Sequence, residues 1–156
     1  MRRLLTTTSA LLAAVAIASG ADNTLGTWNY NAEKSTPAPG LSQVTSLTIT
    51  REAADGGAKV SVKGQRADGV KIDFSYTAKY DGKEVTIAGI SQTWDTTAIT
   101  QVDANTIAEE RSKKGGQYHG TYLTVISKDG KTMTATSKGI GADGKPFTAQ
   151  AVFDRQ

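Results

Sequence analysis

The chain has 156 residues, with 18 Lys and Arg against 15 Asp and Glu, one His and no Cys. This composition is that of a folded domain with a solvated surface. It excludes a disulfide framework, a Cys or multi-His zinc site, a Cys-His nucleophile and attachment of a lipid through cysteine.

Residues 1–21 read as a secretory signal peptide. Met1-Arg2-Arg3 supplies a positive start and Leu11 to Ala18 an apolar run, and small residues precede cleavage after Ala18 or Ala21. Thr6 to Ser9 interrupt the apolar stretch, which falls short of the roughly 20 residues of a membrane span. The Arg2-Arg3 pair leaves both the general and the twin-arginine export routes open. Without it, 16 basic and 15 acidic residues remain. Lys59, Lys63, Lys71, Lys79 and Lys83 are interspersed with Asp55, Asp68, Asp73, Asp81 and Glu84. A nucleic-acid binder would instead gather its cations on one face. Residues 22–156 are long enough for one core and are read as one domain, secreted or periplasmic.

Along that domain the first expected strand is short, Gly26 to Tyr30. A loop with Pro37, Pro39 and Gly40 follows, and then the Thr-rich Val44 to Thr50. Asp55-Gly56, Asp68-Gly69 and Asp81-Gly82 mark hairpin turns, because Asp and Gly tolerate positive φ. Between them Lys59 to Lys63 alternates through Val60 and Val62. Val70 to Tyr80 alternates throughout, with Val70, Ile72, Phe74, Tyr76, Ala78 and Tyr80 on one face. Lys83 to Ala88 is expected as a strand through Val85 and Ile87. A longer loop carrying Trp94 precedes Thr96 to Val102, the turn Asp103-Ala104-Asn105, and Thr106 to Arg111. Gly116, Gly130 and Gly144 then space Gln117 to Ser127, Lys131 to Lys138 and Phe147 to Phe153.

No stretch of residues 22–156 shows a sustained i, i+3, i+4, i+7 apolar pattern, so crossover helices and parallel pairing are not expected. The fold class is therefore all-β. Consecutive long strands with one buried face leave two exposed edges unless the sheet closes, which predicts a closed antiparallel up-and-down (meander) β-barrel of about eight to ten strands. A two-sheet sandwich is the alternative, and the regular hairpins disfavour it.

Leu25-Gly26-Thr27-Trp28 near the start of this domain, followed by a meander ending in Ala151-Val152-Phe153-Asp154-Arg155, resembles the lipocalin and fatty-acid-binding-protein (calycin-type) small barrels. Asn31, Lys34-Ser35 and Ser127-Lys128-Asp129-Gly130-Lys131 extend the resemblance toward uncharacterised secreted bacterial lipocalin-like proteins. The resemblance implies that Trp28 plugs the closed end and that Arg155 packs over its ring. It also implies two departures. Fatty-acid-binding proteins hold a carboxylate with an Arg-x-Tyr pair on the last strand, where this chain has Ala151 and Phe153. Their helical lid has no counterpart in the Pro-rich Asn31 to Ser42.

A barrel of this size either fills with side chains or holds one small ligand. The candidate ligand-binding residues are Ile72, Phe74, Tyr76, Arg111, His119, Met133, Phe147 and Phe153. His119 shares a face with Thr121, Leu123 and Val125, which points it inward, although Tyr118 and Tyr122 on the opposite face compete for the interior. Glu109 and Arg111 share a face with Ile107, so an internal ion pair or an anion-binding Arg111 follows if that face is buried. Trp94 gates the mouth, meets a protein partner or tucks against the rim. No nucleophile motif, metal-ligand spacing or cofactor motif is present, and no catalytic residue is assigned.

Three function classes follow. The first is a carrier of a small hydrophobic or amphipathic molecule. The second is a protein-interaction module, such as an inhibitor or envelope protein, working through Trp94 and the Pro37–Gly40 loop. The third and weakest is a cavity enzyme such as an isomerase or cyclase, with His119 or Tyr76 moving a proton. An interior cavity above roughly 300 Å³ favours the carrier, and a packed interior the module.

Overall fold

The structure is a computed structural model that describes residues 21–38, 43–91 and 93–156. Residues 1–20, which carry nearly all of the expected signal peptide, and Pro39 and Gly40 of the expected Pro37–Gly40 loop lie outside the described residues.

Eleven strands form one sheet: β1 (Gly26–Tyr30), β2 (Val44–Ala54), β3 (Gly57–Arg66), β4 (Lys71–Lys79), β5 (Val85–Thr86), β6 (Ala88–Ile90), β7 (Thr96–Asp103), β8 (Thr106–Ser112), β9 (His119–Ile126), β10 (Thr132–Ile140) and β11 (Pro146–Arg155). The sheet order is β5-β7-β8-β9-β10-β11-β1-β2-β3-β4-β6, and the ladders are antiparallel. The short β1 lies between the first and last long strands and joins them, with Trp28 opposite both Ile49 and Arg155. The barrel is nearly closed, all-β and up-and-down, as alternation and turn spacing predict. No helix forms among the described residues, and none there is long and apolar enough to cross a membrane.

The expected strand Lys83 to Ala88 is corrected. It divides into β5, which pairs with β7 through Val85↔Thr97, and β6, which pairs with β4 through Phe74↔Gly89. The chain thus crosses the gap between β4 and β7 instead of adding a full strand to it, and the extra short element raises the count to eleven. Gly89 makes the crossing close: it holds φ of 107°, and a Cβ there would collide with the Asp73 carbonyl oxygen. Below the crossing, Asp81 bridges Thr100 and the Gly82 amide donates to the Ile99 carbonyl at 3.0 Å.

The hairpin turns follow the Asp-Gly signal. Asp68, Asp81, Asp129 and Asp143 each accept, at 3.0–3.1 Å, the backbone amide two residues on, and Gly69, Gly82, Gly130 and Gly144 hold positive φ. In the turn after β8 it is Gly115, not Gly116, that adopts positive φ.

Two apolar clusters support the wall. The larger joins β3, β4, β7 and β8 through Val60, Val62, Phe74, Ile99 and Ile107. The smaller gathers Trp28, Ile126, Met133 and Phe153 at one end, here called the floor. The turns at 55–56, 81–82, 103–105 and 127–131 lie at the floor. The opposite end, the mouth, carries the segment 31–38, Ser91, residues 93–95 and the turns at 67–69, 113–117 and 141–145.

A cavity with a buried ion pair and two further arginines

The floor is built by the residues that carry the family resemblance. The Trp28 side chain is fully buried, and its indole Nε1 donates to the Thr24 carbonyl at 2.9 Å. The Arg155 guanidinium lies 4.2 Å over the ring. It is pinned there by hydrogen bonds to the carbonyls of Gly130 (2.6 Å), Leu25 (3.0 Å) and Asn23 (2.9 Å). Gly26 holds φ of 127°, and a Cβ at that position would sit 2.7 Å from Arg155 Nη1. The Gly-x-Trp spacing is therefore a clearance requirement as well as a backbone one. Asp154 receives the Asn31 amide at 2.7 Å and the Lys34 ammonium at 3.0 Å, which hold its carboxyl below the usual range. Ser35 in turn donates to the Asn31 carbonyl and accepts from the Val152 amide. These bonds seat the segment 31–38 along β11, where Thr36 bridges Gln150. Pro37 is exposed and Ala38 is buried. No helix forms in residues 31–38.

Above the floor is a cavity of about 260 Å³. The volume is just under the roughly 300 Å³ at which small-molecule sites ordinarily begin, so the interior is neither packed nor capacious. Ile72, Phe74, Tyr76, Arg111, Met133, Phe147 and Phe153 all line it. Ile72, Phe74, Tyr76, Met133 and Phe153 are buried, and Phe147 stacks on Tyr118 with centroids 5.8 Å apart.

His119 does not line this cavity. It is exposed on the outer face of β9, beside a shallow hollow that also carries Glu84 and Glu110. The inward face is the opposite one, with Tyr118, Gly120, Tyr122, Thr124 and Ile126, while Leu123 and Val125 are 47% and 40% exposed. Aromatic packing decides the register. Gly120 leaves room where the rings of Tyr122 and Phe147 and the Tyr118 hydroxyl converge, each 3.1–3.2 Å from where a Cβ would be. The Tyr118 and Tyr122 hydroxyls also bond each other.

Trp94 is likewise corrected as a surface contact for a partner. Its side chain is 6% exposed. Ser91, bonded to both the amide and the carbonyl of Trp94, folds the loop so that the indole enters the barrel. There it meets Phe74 edge-to-face at 5.0 Å and Tyr76 at 6.3 Å.

The polar centre of the cavity is the ion pair of β8. Glu109 is 3% exposed, and desolvating a carboxylate to that degree costs several kcal/mol unless it is paired and hydrogen-bonded. Arg111 donates to it twice, Nε to Oε1 at 3.0 Å and Nη2 to Oε2 at 2.9 Å. Thr97 adds a bond at 2.5 Å and Tyr76 one at 3.2 Å. Burial pushes the Glu109 carboxyl up, but the Arg111 charge and these donors outweigh it, so the carboxyl titrates below its ordinary value. The Arg111 guanidinium is held between the rings of Tyr122 (4.1 Å) and Trp94 (4.5 Å). Burial and the Glu109 charge push the Tyr76 hydroxyl up, and burial and Tyr122 do the same for Tyr118.

Two further arginines line the cavity, Arg51 and Arg66. Both continue an inward-facing apolar parity, Leu47-Ile49-Arg51 on β2 and Val60-Val62-Gly64-Arg66 on β3. That phase was visible in the sequence, but ending an apolar face on a charge masks it. Arg51 is 5% exposed, and its Nε and Nη2 donate to the hydroxyls of Thr24 (3.3 Å) and Tyr80 (3.4 Å). Arg66 stands at the mouth and donates Nη2 to Thr93 Oγ1 at 3.0 Å. Chemically, the site is an apolar chamber with one neutralised ion pair at mid-height and a cation toward each end.

No family model matches the chain, and no curated protein matches it. Among solved structures, the chain is similar to the zebrafish ileal bile acid-binding protein crystallised with cholic acid. The TM-score is 0.50 at 10% sequence identity, with 86% of this chain and 100% of that chain covered. At that identity the likeness is one of architecture: this chain has the small calycin-type barrel fold.

Proposed function

We propose that this protein is a carrier that holds one small, largely apolar molecule inside its barrel. The observation that carries the reading is the unfilled cavity of about 260 Å³ walled by Ile72, Phe74, Leu47, Met133 and Phe153, in a fold whose zebrafish neighbour was crystallised with cholic acid. Apolar walls with a few fixed polar groups are the ordinary composition of a small-molecule site. Proton-transfer chemistry finds less support, because it needs a group that titrates near neutrality. Glu109 is tied to Arg111 and titrates low, Tyr76 and Tyr118 titrate high, and His119 lies outside. The interaction-module reading loses Trp94, its main anchor.

The residue pattern Met1-Arg2-Arg3, Leu11 to Ala18 and the small residues before Asp22 supports export, and with it kinship to secreted bacterial lipocalin-like proteins. Fusing residues 1–21 to an alkaline phosphatase that is active only outside the cytoplasm tests the location: activity is expected, and its absence contradicts export.

For the carrier, the test is titration with 1-anilinonaphthalene-8-sulfonate, followed by competition with apolar small molecules. One saturable site is expected, lost in Ala135→Phe because that side chain fills the cavity. Binding that persists undiminished in a folded Ala135→Phe contradicts the reading.

A further inference from the structure

The outer face of the sheet changes character around the barrel. On β3 and β4 it carries Lys59, Lys63, Lys71, Asp73 and Lys79, all exposed, as a solvated face does. Over β8, β9 and β10 the register instead aligns Thr106–Val125–Thr134 in one row and Ala108–Leu123–Thr136 in the next. No charge interrupts these two rows, and Leu123 and Val125 at their centre are exposed. Apolar side chains scattered singly on a surface are ordinary, but two adjacent ones framed by methyl-bearing neighbours form a contiguous patch. The third row is Glu110–Thr121–Lys138. Its two charges are exposed and stand two strand spacings apart, about 10 Å, too far to pair within one copy. Neither has an oppositely charged partner within 4.0 Å among the described residues.

We propose that this face is the contact between two copies of the chain, related by a two-fold axis running along β9. Such a contact is isologous: it lays β8 of each copy over β10 of the other, and β9 over β9, in an aligned packing of two sheets. Leu123 and Val125 meet their own counterparts, while Glu110 of each copy faces Lys138 of the other. A two-fold axis across the strands at Leu123 would instead set Glu110 over Thr106 and Lys138 over Thr134, leaving both charges without partners. The charged row therefore selects the orientation, and the apolar rows supply the attraction. Three strands about 4.8 Å apart, over the length of Thr106 to Glu110, cover a few hundred Å² per copy. That is well under the roughly 800 Å² per partner of a stable complex, so the dimer is weak and reversible.

Sedimentation velocity over rising protein concentration should show a monomer–dimer equilibrium in the wild type. Glu110→Lys and Lys138→Glu each set like charges against each other across the axis and should raise the dimer dissociation constant on the order of tenfold. Combining the two restores opposite charges and should return the constant toward the wild-type value. Lys63→Glu, on the charged outer face of β3, changes the net charge as Lys138→Glu does and should leave the constant unchanged. Leu123→Asp should abolish the dimer and leave the melting temperature near that of the wild type, because the side chain is exposed in the monomer. A wild type that stays monomeric at its highest soluble concentration overturns the proposal. So does a dimer that the single reversals leave unaffected, or one that the double reversal fails to restore.

Discussion

Trp28 and the Glu109–Arg111 pair are the residues on which the interior depends, and they depend on different physics. Trp28 is a large apolar group with one satisfied donor, so Trp28→Ala should cost about 3–5 kcal/mol through loss of burial and the void left behind. Arg155 is exposed but stacks on that ring, so Arg155→Ala should cost less, about 0.5–1 kcal/mol for an exposed cation over an indole. Urea denaturation of the two variants checks the ranking, and equal or inverted losses contradict it.

Glu109→Gln leaves Arg111 charged among aromatic rings without its counter-ion and should cost about 3–5 kcal/mol. The same pair sets an acid limb. Because the Glu109 carboxyl titrates below the ordinary glutamate value near 4.5 in the folded state, the unfolded chain takes up the proton first as pH falls. Its contribution is therefore complete above about pH 5.5 and is lost as pH drops through the folded value. Melting temperature against pH should fall less steeply below pH 5 in Glu109→Gln than in the wild type. At this scale, Phe74 was legible because its neighbours alternate cleanly, the Glu109–Arg111 pair because the two share a strand face and form an internal pair if that face is buried, and Trp28 with Arg155 through the family resemblance alone. His119 was not: β9 alternates apolar residues on one face against tyrosines on the other. Rings that stack and bond each other then take the half-wet interior in preference to Leu123 and Val125.

Among the elements, the seam between β4 and β7 is the weak part of the wall. The ladders β5–β7 and β4–β6 are two and three residue pairs long, whereas β2–β3 and β3–β4 run the length of the barrel. Few buried contacts and short ladders lower the free energy of local opening. Hydrogen exchange should therefore be fastest among strand amides at Val85 to Ile90, and slowest in β3 and β8. Gly89→Ala should destabilise by about 1–3 kcal/mol, since it meets both the positive φ and the Asp73 carbonyl; full protection of the seam would show that it is not an opening. Asp-Gly turns made the long hairpins readable from the sequence. They could not reveal the crossing, because alternation in Lys83 to Ala88 describes which face is buried and not which neighbour the backbone meets.

For the whole molecule, closure of the meander is what creates the interior, and incomplete filling is what gives it a use. The sequence announces closure through its hairpin spacing, but it does not announce volume. Whether eleven strands leave a cavity depends on how far Trp94 reaches from its loop and on the two arginines that end apolar faces. The most direct measurement is therefore an amide chemical-shift titration of the labelled protein with 1-anilinonaphthalene-8-sulfonate. The account expects saturable shifts at inward positions of β3, β4 and β10, with the outer face of β9 unmoved. Shifts confined to Leu123, Val125 and their exposed neighbours, or no shifts at all at saturating probe, contradict it.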